Sequence, residues 1–254
     1  AEFILSYSKS MNARVNAKSY LSLLNKYNYY KKDGFKPIHY VINPKILKKE
    51  SKNNIYIYGP NASDPPNEKY SEFEFVSLKP IKYDLKNFKK KLLFVNGAFY
   101  HSKMINNEDY CNDLINIYGQ VIVSNLSKIE EPLQRAKFPM IGILASPMAL
   151  GRVIYNLLFK YGRFSCVIEG FDFYVDEKMY SSYYPSLARV KSKIDEKIIC
   201  DSLAVHDALY NFLYVKELCK YLQIIDSKDF VNICSQNADW YLSKLKDIRN
   251  FNTI

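Results

Sequence analysis

Residues 164–174, FSCVIEGFDFY, constrain the fold more than any other stretch of the chain. An apolar run stops at Gly170, and Phe171, Asp172 and Tyr174 follow at once. A run of this length closed by glycine is the pattern of a strand buried on both faces, as in parallel sheets covered by helices. Ligands of open α/β sheets bind just past the carboxyl ends of such strands, so residues 170–174 are where chemistry is expected. Upstream, residues 146–161 carry apolar side chains at helical spacing (Met148, Val153, Ile154, Leu157, Leu158, Tyr161) and stop at Gly162, a helix-ending residue. Downstream, a loop rich in serine and tyrosine (Tyr180, Tyr183, Tyr184) leads to an amphipathic helix predicted over 202–222, with His206 near its start.

Three earlier apolar runs end in the same way. Residues 55–58 run into Gly59-Pro60-Asn61, residues 92–95 into Asn96, and residues 120–123 into Ser124-Asn125. A strand followed by a glycine turn opens many nucleotide-binding α/β units, because a residue without Cβ lets backbone N–H groups approach a ligand. It also makes an ordinary turn, and here it is neither GxGxxG nor a P-loop. Each asparagine reads as a turn former or as a paired donor and acceptor for a sugar hydroxyl or a pyrimidine edge. Their recurrence at strand ends favours one shared edge.

The expected architecture is α/β, a Rossmann-like, mostly parallel sheet flanked by helices over residues 55–254. Residues 1–54 form a helical and basic N-terminal extension, with a helix over 4–31, a strand over 35–43 and a basic linker or small helix over 44–54. Residues 64–91 read as a loop, a short strand and a helix. Residues 112–118 read as helix, 141–144 as strand, and 227–245 as a C-terminal helix in which Trp240 and Tyr241 pack.

Composition narrows the chemistry. A hydrophobic fraction of 48% over 254 residues excludes general disorder and allows a substantial core. The net charge of +10 fits an anionic partner such as nucleic acid, acidic lipid or a phosphorylated substrate, and equally a solvated lysine-rich surface. Five cysteines without a CxxC pair disfavour a zinc site or a disulfide framework and fit reduced thiols in a cytoplasm. No run reaches the roughly 18 apolar residues of a membrane span, and no signal peptide is read. The 23 tyrosines reflect compositional bias. No DxD occurs and the carboxylates are poorly arranged for a metal, so divalent-metal catalysis is not indicated, and the absence of GxSxG and HExxH removes further common enzyme classes. Of three histidines, His206 lies at a helix start where its ring could face the strand-end cleft as a general base; the same position also suits a structural histidine.

The run Gly170-Phe171-Asp172-Phe173-Tyr174, after a helix and a buried strand and before Ser181-Ser182-Tyr183 and His206, resembles bacterial sialyltransferases of glycosyltransferase family 42. Further pieces follow in that family's order over residues 55–222: Ser146 opening the helix, the Gly59-Pro60-Asn61 turn, Asn96 with Phe99-Tyr100, and Asn125-Leu126-Ser127. The resemblance implies a variant GT-A type fold and an inverting, metal-independent transferase with CMP-sialic acid as donor and no further cofactor. It implies His206 as general base and Tyr174 with Tyr180 or Tyr183 as donors to the departing phosphate. It implies Gly59, Pro60, Asn61, Asn96, Asn125, Ser146, Gly170, Phe171 and Asp172 around the nucleotide and sugar. The acceptor would be a galactose-type end of a bacterial lipooligosaccharide or capsule, at the cytoplasmic face of the membrane, with peripheral attachment and homo-oligomerisation both compatible. Departures from the pattern include Asn61 falling after Gly-Pro instead of before it, and Gly97 where the family has Gln. They keep a CMP-Kdo or other CMP-nonulosonate donor as the alternative. A basic nucleotide- or RNA-binding module without catalysis is the alternative of another class, although no RGG, RNP or zinc-knuckle pattern occurs.

Overall fold

Side chains along a strand alternate between faces, so a strand buried in a two-sided sheet must be apolar at every position. The first strand, β1 (Glu50–Tyr58), meets this demand over its last four residues, all fully buried. Ile55 and Ile57 enter one core, and Tyr56 and Tyr58 enter the other. The computed structural model describes residues 50–62, 64–96, 99–124, 140–141, 149–175 and 208–249. The expected helix over 4–31 and strand over 35–43, the Tyr/Ser loop, and Asn125, Ser146, Tyr180, Tyr183 and His206 lie outside those residues.

The described strands form one seven-stranded sheet. After β1 come β2 (Glu74–Ser77), β3 (Lys90–Asn96), β4 (Gln120–Ser124), β5 (Met140–Ile141), β6 (Arg163–Glu169) and β7 (Leu222–Ile224). Their order across the sheet is β5-β4-β3-β2-β1-β6-β7, and every pairing is parallel. The chain therefore steps outward from β1 to β5, then returns to lay β6 on the other side of β1. Reversing direction under right-handed connections moves the crossover to the opposite face. Accordingly α1 (Glu108–Tyr118) packs in the core of Tyr56 and Tyr58, whereas α2 (Ala149–Tyr161) and α3 (Ala208–Cys219) pack in that of Ile55 and Ile57. This is the Rossmann-like α/β arrangement expected from the strand runs. Two C-terminal helices, α4 (Lys228–Ser235) and α5 (Ala238–Arg249), complete the second face through Phe230, Tyr241, Leu242 and Leu245.

Several elements differ from expectation for identifiable reasons. The polar segment 50–54, expected as linker, belongs to β1; its residues alternate between exposed and half-buried, so hydropathy does not mark them. No helix occurs in residues 78–89. Pro80 lies there, and the Asp84 carboxylate accepts from the Lys86 amide at 2.9 Å, a turn-forming contact. The helix expected to run to Leu222 stops at Cys219, and Leu222 opens the edge strand β7, paired with Phe164. Nor is α3 polar along one side: Leu209, Asn211, Phe212, Tyr214, Val215 and Leu218 are all buried, because α2, α4 and α5 surround it. The C-terminal helix is two helices, divided where the Gln236 carbonyl accepts from Lys216 Nζ and the Asn237 side chain caps α5 by accepting from the Trp240 amide at 2.8 Å.

Candidate functional site at the β1 and β6 strand ends

The sheet changes direction between β1 and β6, where Tyr58 and Glu169 are register partners. Helices on opposite faces leave a crevice at such a point, outside the carboxyl ends of the strands. Two turns fill its floor. In the first, the Gly59 amide donates to the Glu169 carbonyl at 2.8 Å, the Asn61 amide to the Gly170 carbonyl at 3.1 Å, and the Ala62 amide to the Gly59 carbonyl at 3.3 Å. The second begins at Gly170, whose φ of 72° is left-handed.

The glycines are required for a reason other than ligand approach. A Cβ on Gly59 would lie 2.4 Å from both the Gly170 carbonyl oxygen and the Phe171 ring, and one on Gly170 would lie 2.3 Å from the Ala62 nitrogen. Each turn occupies the space that a side chain on the other would need. The amides of Gly59 and Asn61 are likewise committed to the neighbouring turn.

What the second turn offers is a held carboxylate. Asp172 is 7% exposed; one oxygen accepts from Asn61 Nδ2 at 3.2 Å and the other from the Tyr174 amide at 3.0 Å. The Val175 amide donates to the Asp172 carbonyl at 3.1 Å, closing a turn whose central residues, Phe173 and Tyr174, have φ of 53° and 66°. Consecutive non-glycine residues in this region are strained and persist only where the surroundings over-determine them. Here they do. The Phe173 ring packs 5.5 Å from Phe212 and 5.9 Å from Phe230, and its carbonyl accepts from the Tyr241 hydroxyl at 3.0 Å.

A residue with no sequence signal secures the first turn. Lys79, just beyond β2, donates from Nζ to the carbonyls of Pro60 at 2.8 Å and Ala62 at 2.9 Å, and burial lowers its pKa. On the same face as Lys79, whose Nζ lies 5.7 Å from the centroid of the Tyr58 ring, the Tyr56 hydroxyl donates to Glu169 Oε2, and burial followed by that carboxylate raises its pKa. The Tyr58 hydroxyl donates to the Asp64 carbonyl at 2.6 Å. Arg152, in the first turn of α2, is a further buried cation missed by motif reasoning.

Of the expected site residues, the structure joins Gly59, Pro60, Asn61, Gly170, Phe171, Asp172 and Tyr174 in one place. Asn96 ends β3 on the same sheet edge, paired with Ser124, but two strands from β1, roughly 10 Å along the edge at normal strand spacing. His206 precedes the first residue of α3 by two positions, and Ser146 precedes that of α2 by three. The turns open into a cleft of about 620 Å³ whose opposite wall is built from α4 and α5 by Asp229, Asn232, Ile233, Trp240 and Lys244. These wall residues were missed because on their own helices they follow ordinary amphipathic spacing. Among the described residues no group of three or more His, Cys, Asp or Glu could hold a metal ion, and no helix is long and apolar enough to cross a membrane. No protein-family model, curated protein or solved structure matches the chain.

Proposed function

We propose that this chain is an inverting, metal-independent glycosyltransferase that moves sialic acid from CMP-sialic acid to a galactose-type end of a bacterial surface glycan. The observation that supports the reading best is the convergence at the sheet's change of direction. Gly59-Pro60-Asn61 and Gly170-Phe171-Asp172, singled out separately in the sequence, interlock there and hold a nearly buried carboxylate beside a cleft. A fixed Asp carboxylate and Asn amide are suited to ribose hydroxyls and a pyrimidine edge.

In the proposed reaction His206 takes the proton from the acceptor hydroxyl as its oxygen attacks the anomeric carbon from the face opposite CMP. The bond to the phosphate oxygen breaks, and the configuration inverts. Tyr174 with Tyr180 or Tyr183 donates to the departing phosphate, so neutral donors stabilise its developing charge. Asn96, Asn125 and Ser146 complete the donor pocket. The net charge of +10 supports attachment to the anionic cytoplasmic leaflet, where such an acceptor is carried.

Incubation with a galactose-terminated acceptor and either CMP-sialic acid or CMP-Kdo, followed by CMP release, tests the reading. Release from CMP-sialic acid is expected, with His206→Ala reduced by about 10²-fold or more. Release from CMP-Kdo alone would change the donor, and wild-type turnover by His206→Ala would remove the base. Absence of turnover with both donors, together with RNA retention, would favour the non-catalytic alternative.

A further inference from the structure

The wall contributed by α4 and α5 faces the two turns across the cleft, yet none of its residues belongs to the donor pocket proposed above. It combines one large aromatic surface, Trp240, with planar hydrogen-bonding groups, Asn232 and Asp229, and a single cation, Lys244. Asp229, Asn232 and Lys244 are exposed, so the wall is wet on its outer side, while Trp240 is half-buried against the core. A sugar ring has a matching character: a face of C–H groups that lies on an indole, and rim hydroxyls that pair with amide and carboxylate oxygens. Other occupants fit less well. A polyphosphate or nucleic-acid strand laid along this wall would meet the Asp229 carboxylate with Lys244 as the wall's one cation, and a lipid chain would find three polar side chains on its path.

We infer that Asp229, Asn232, Trp240 and Lys244 form a saccharide subsite that binds the acceptor glycan, leaving the inner turns to the nucleotide donor. The inference rests on the transferase reading for the identity of the inner ligand, and its own content is the outer one. The division follows accessibility. The turns carry the buried Asp172, a fixed group for a compact donor, whereas Asp229, Asn232 and Lys244 of the helical wall are exposed, where a longer glycan arrives from solvent and extends back into it.

Trp240 is the chain's single tryptophan, so its fluorescence reports this wall alone. The test titrates the full-length protein with lactose, with and without CMP, following Trp240 emission, and in parallel measures protection by CMP against heat unfolding. A saturable change with lactose that persists in saturating CMP is expected. Asn232→Ala and Lys244→Ala, both at exposed positions, should each weaken lactose binding by about tenfold while CMP protection stays at the wild-type level. An emission that lactose leaves unchanged, or lactose binding by both variants as tight as wild type, would overturn the subsite. So would an emission change produced by CMP and competitive with lactose, because the wall would then belong to the nucleotide. If lactose binds as expected while CMP gives no protection, the subsite stands and the donor reading falls.

Discussion

The two turns at the strand ends lie in contact but are stabilised differently. The turn at 59–62 is held through its backbone: its amides donate to Glu169 and Gly170, and its carbonyls accept from Lys79. The turn at 172–175 is held through its side chains, with Asp172 capping Tyr174 and Phe173 buried among Phe212, Phe230 and Tyr241. A backbone-held turn leaves side chains such as Asn61 free to be selected for what they contact, whereas a turn held by side chains ties its sequence to the core. This explains why the second turn was the more legible of the two: Gly-Phe-Asp-Phe-Tyr contains its own anchors.

Phe173→Ala gives the largest expected loss. The ring is 5% exposed and is the main anchor of a backbone at φ 53°, so truncation should cost about 3–5 kcal/mol in denaturant unfolding. The loss should be accompanied by reduced CMP protection, since Asp172 and Tyr174 follow the same anchor. Stability and CMP protection both close to wild type would mean that the turn does not depend on its aromatic side chain.

Gly170→Ala comes next and can be divided into parts by a control. Gly119 has nearly the same φ, 71°, but a Cβ there meets only the Lys91 carbonyl at 4.0 Å, whereas on Gly170 it meets the Ala62 nitrogen at 2.3 Å. Gly119→Ala should therefore cost about 1 kcal/mol, the conformational term alone. Gly170→Ala should cost about 3 kcal/mol, adding overpacking against the neighbouring turn. Equal losses in thermal or denaturant unfolding would show that the turns do not depend on their close approach.

Much of this arrangement could be read from the chain, and the gaps have physical causes. Residues 55–58 and 164–169 were legible because strands covered on both faces must be apolar without interruption, and glycine marks their ends. That the two would pair side by side was not, since 110 positions separate Gly59 from Glu169, to which its amide donates, and no local pattern encodes register across four intervening strands. The edge strand β7 is three residues, two half-buried around the exposed Gln223, close after the end of α3 and too short for a period. Asp229, Asn232 and Lys244 looked like the solvent side of a helix, which they are until the cleft opposite them is seen. Several tyrosines read as composition have placed hydroxyls: buried Tyr56 on Glu169, buried Tyr58 on the Asp64 carbonyl and half-buried Tyr161 on Glu74.

The smallest expected effect probes the backbone-held turn. Lys79→Met keeps the length and apolar stem but removes the ammonium that donates to the Pro60 and Ala62 carbonyls. A net loss of about 1 kcal/mol is expected, with little change in the neighbouring turn, which is anchored by its own Asp172 and Phe173 side chains. The effect should also carry a pH signature. Burial lowers the Lys79 pKa below 10.5, so between the folded and unfolded values the unfolded chain binds more protons. Stability contributed through this group therefore rises with pH across that window and is lower below it, where the charged amine is buried at full cost. Subtracting the Lys79→Met curve from the wild-type curve removes the opposite trend of the buried tyrosines, among them Tyr118, whose pKa burial pushes up to about 12. A difference curve that falls with pH through the window would mean that the ammonium is held more strongly than its burial opposes it, making the first turn a site of charge stabilisation instead of a desolvated clamp.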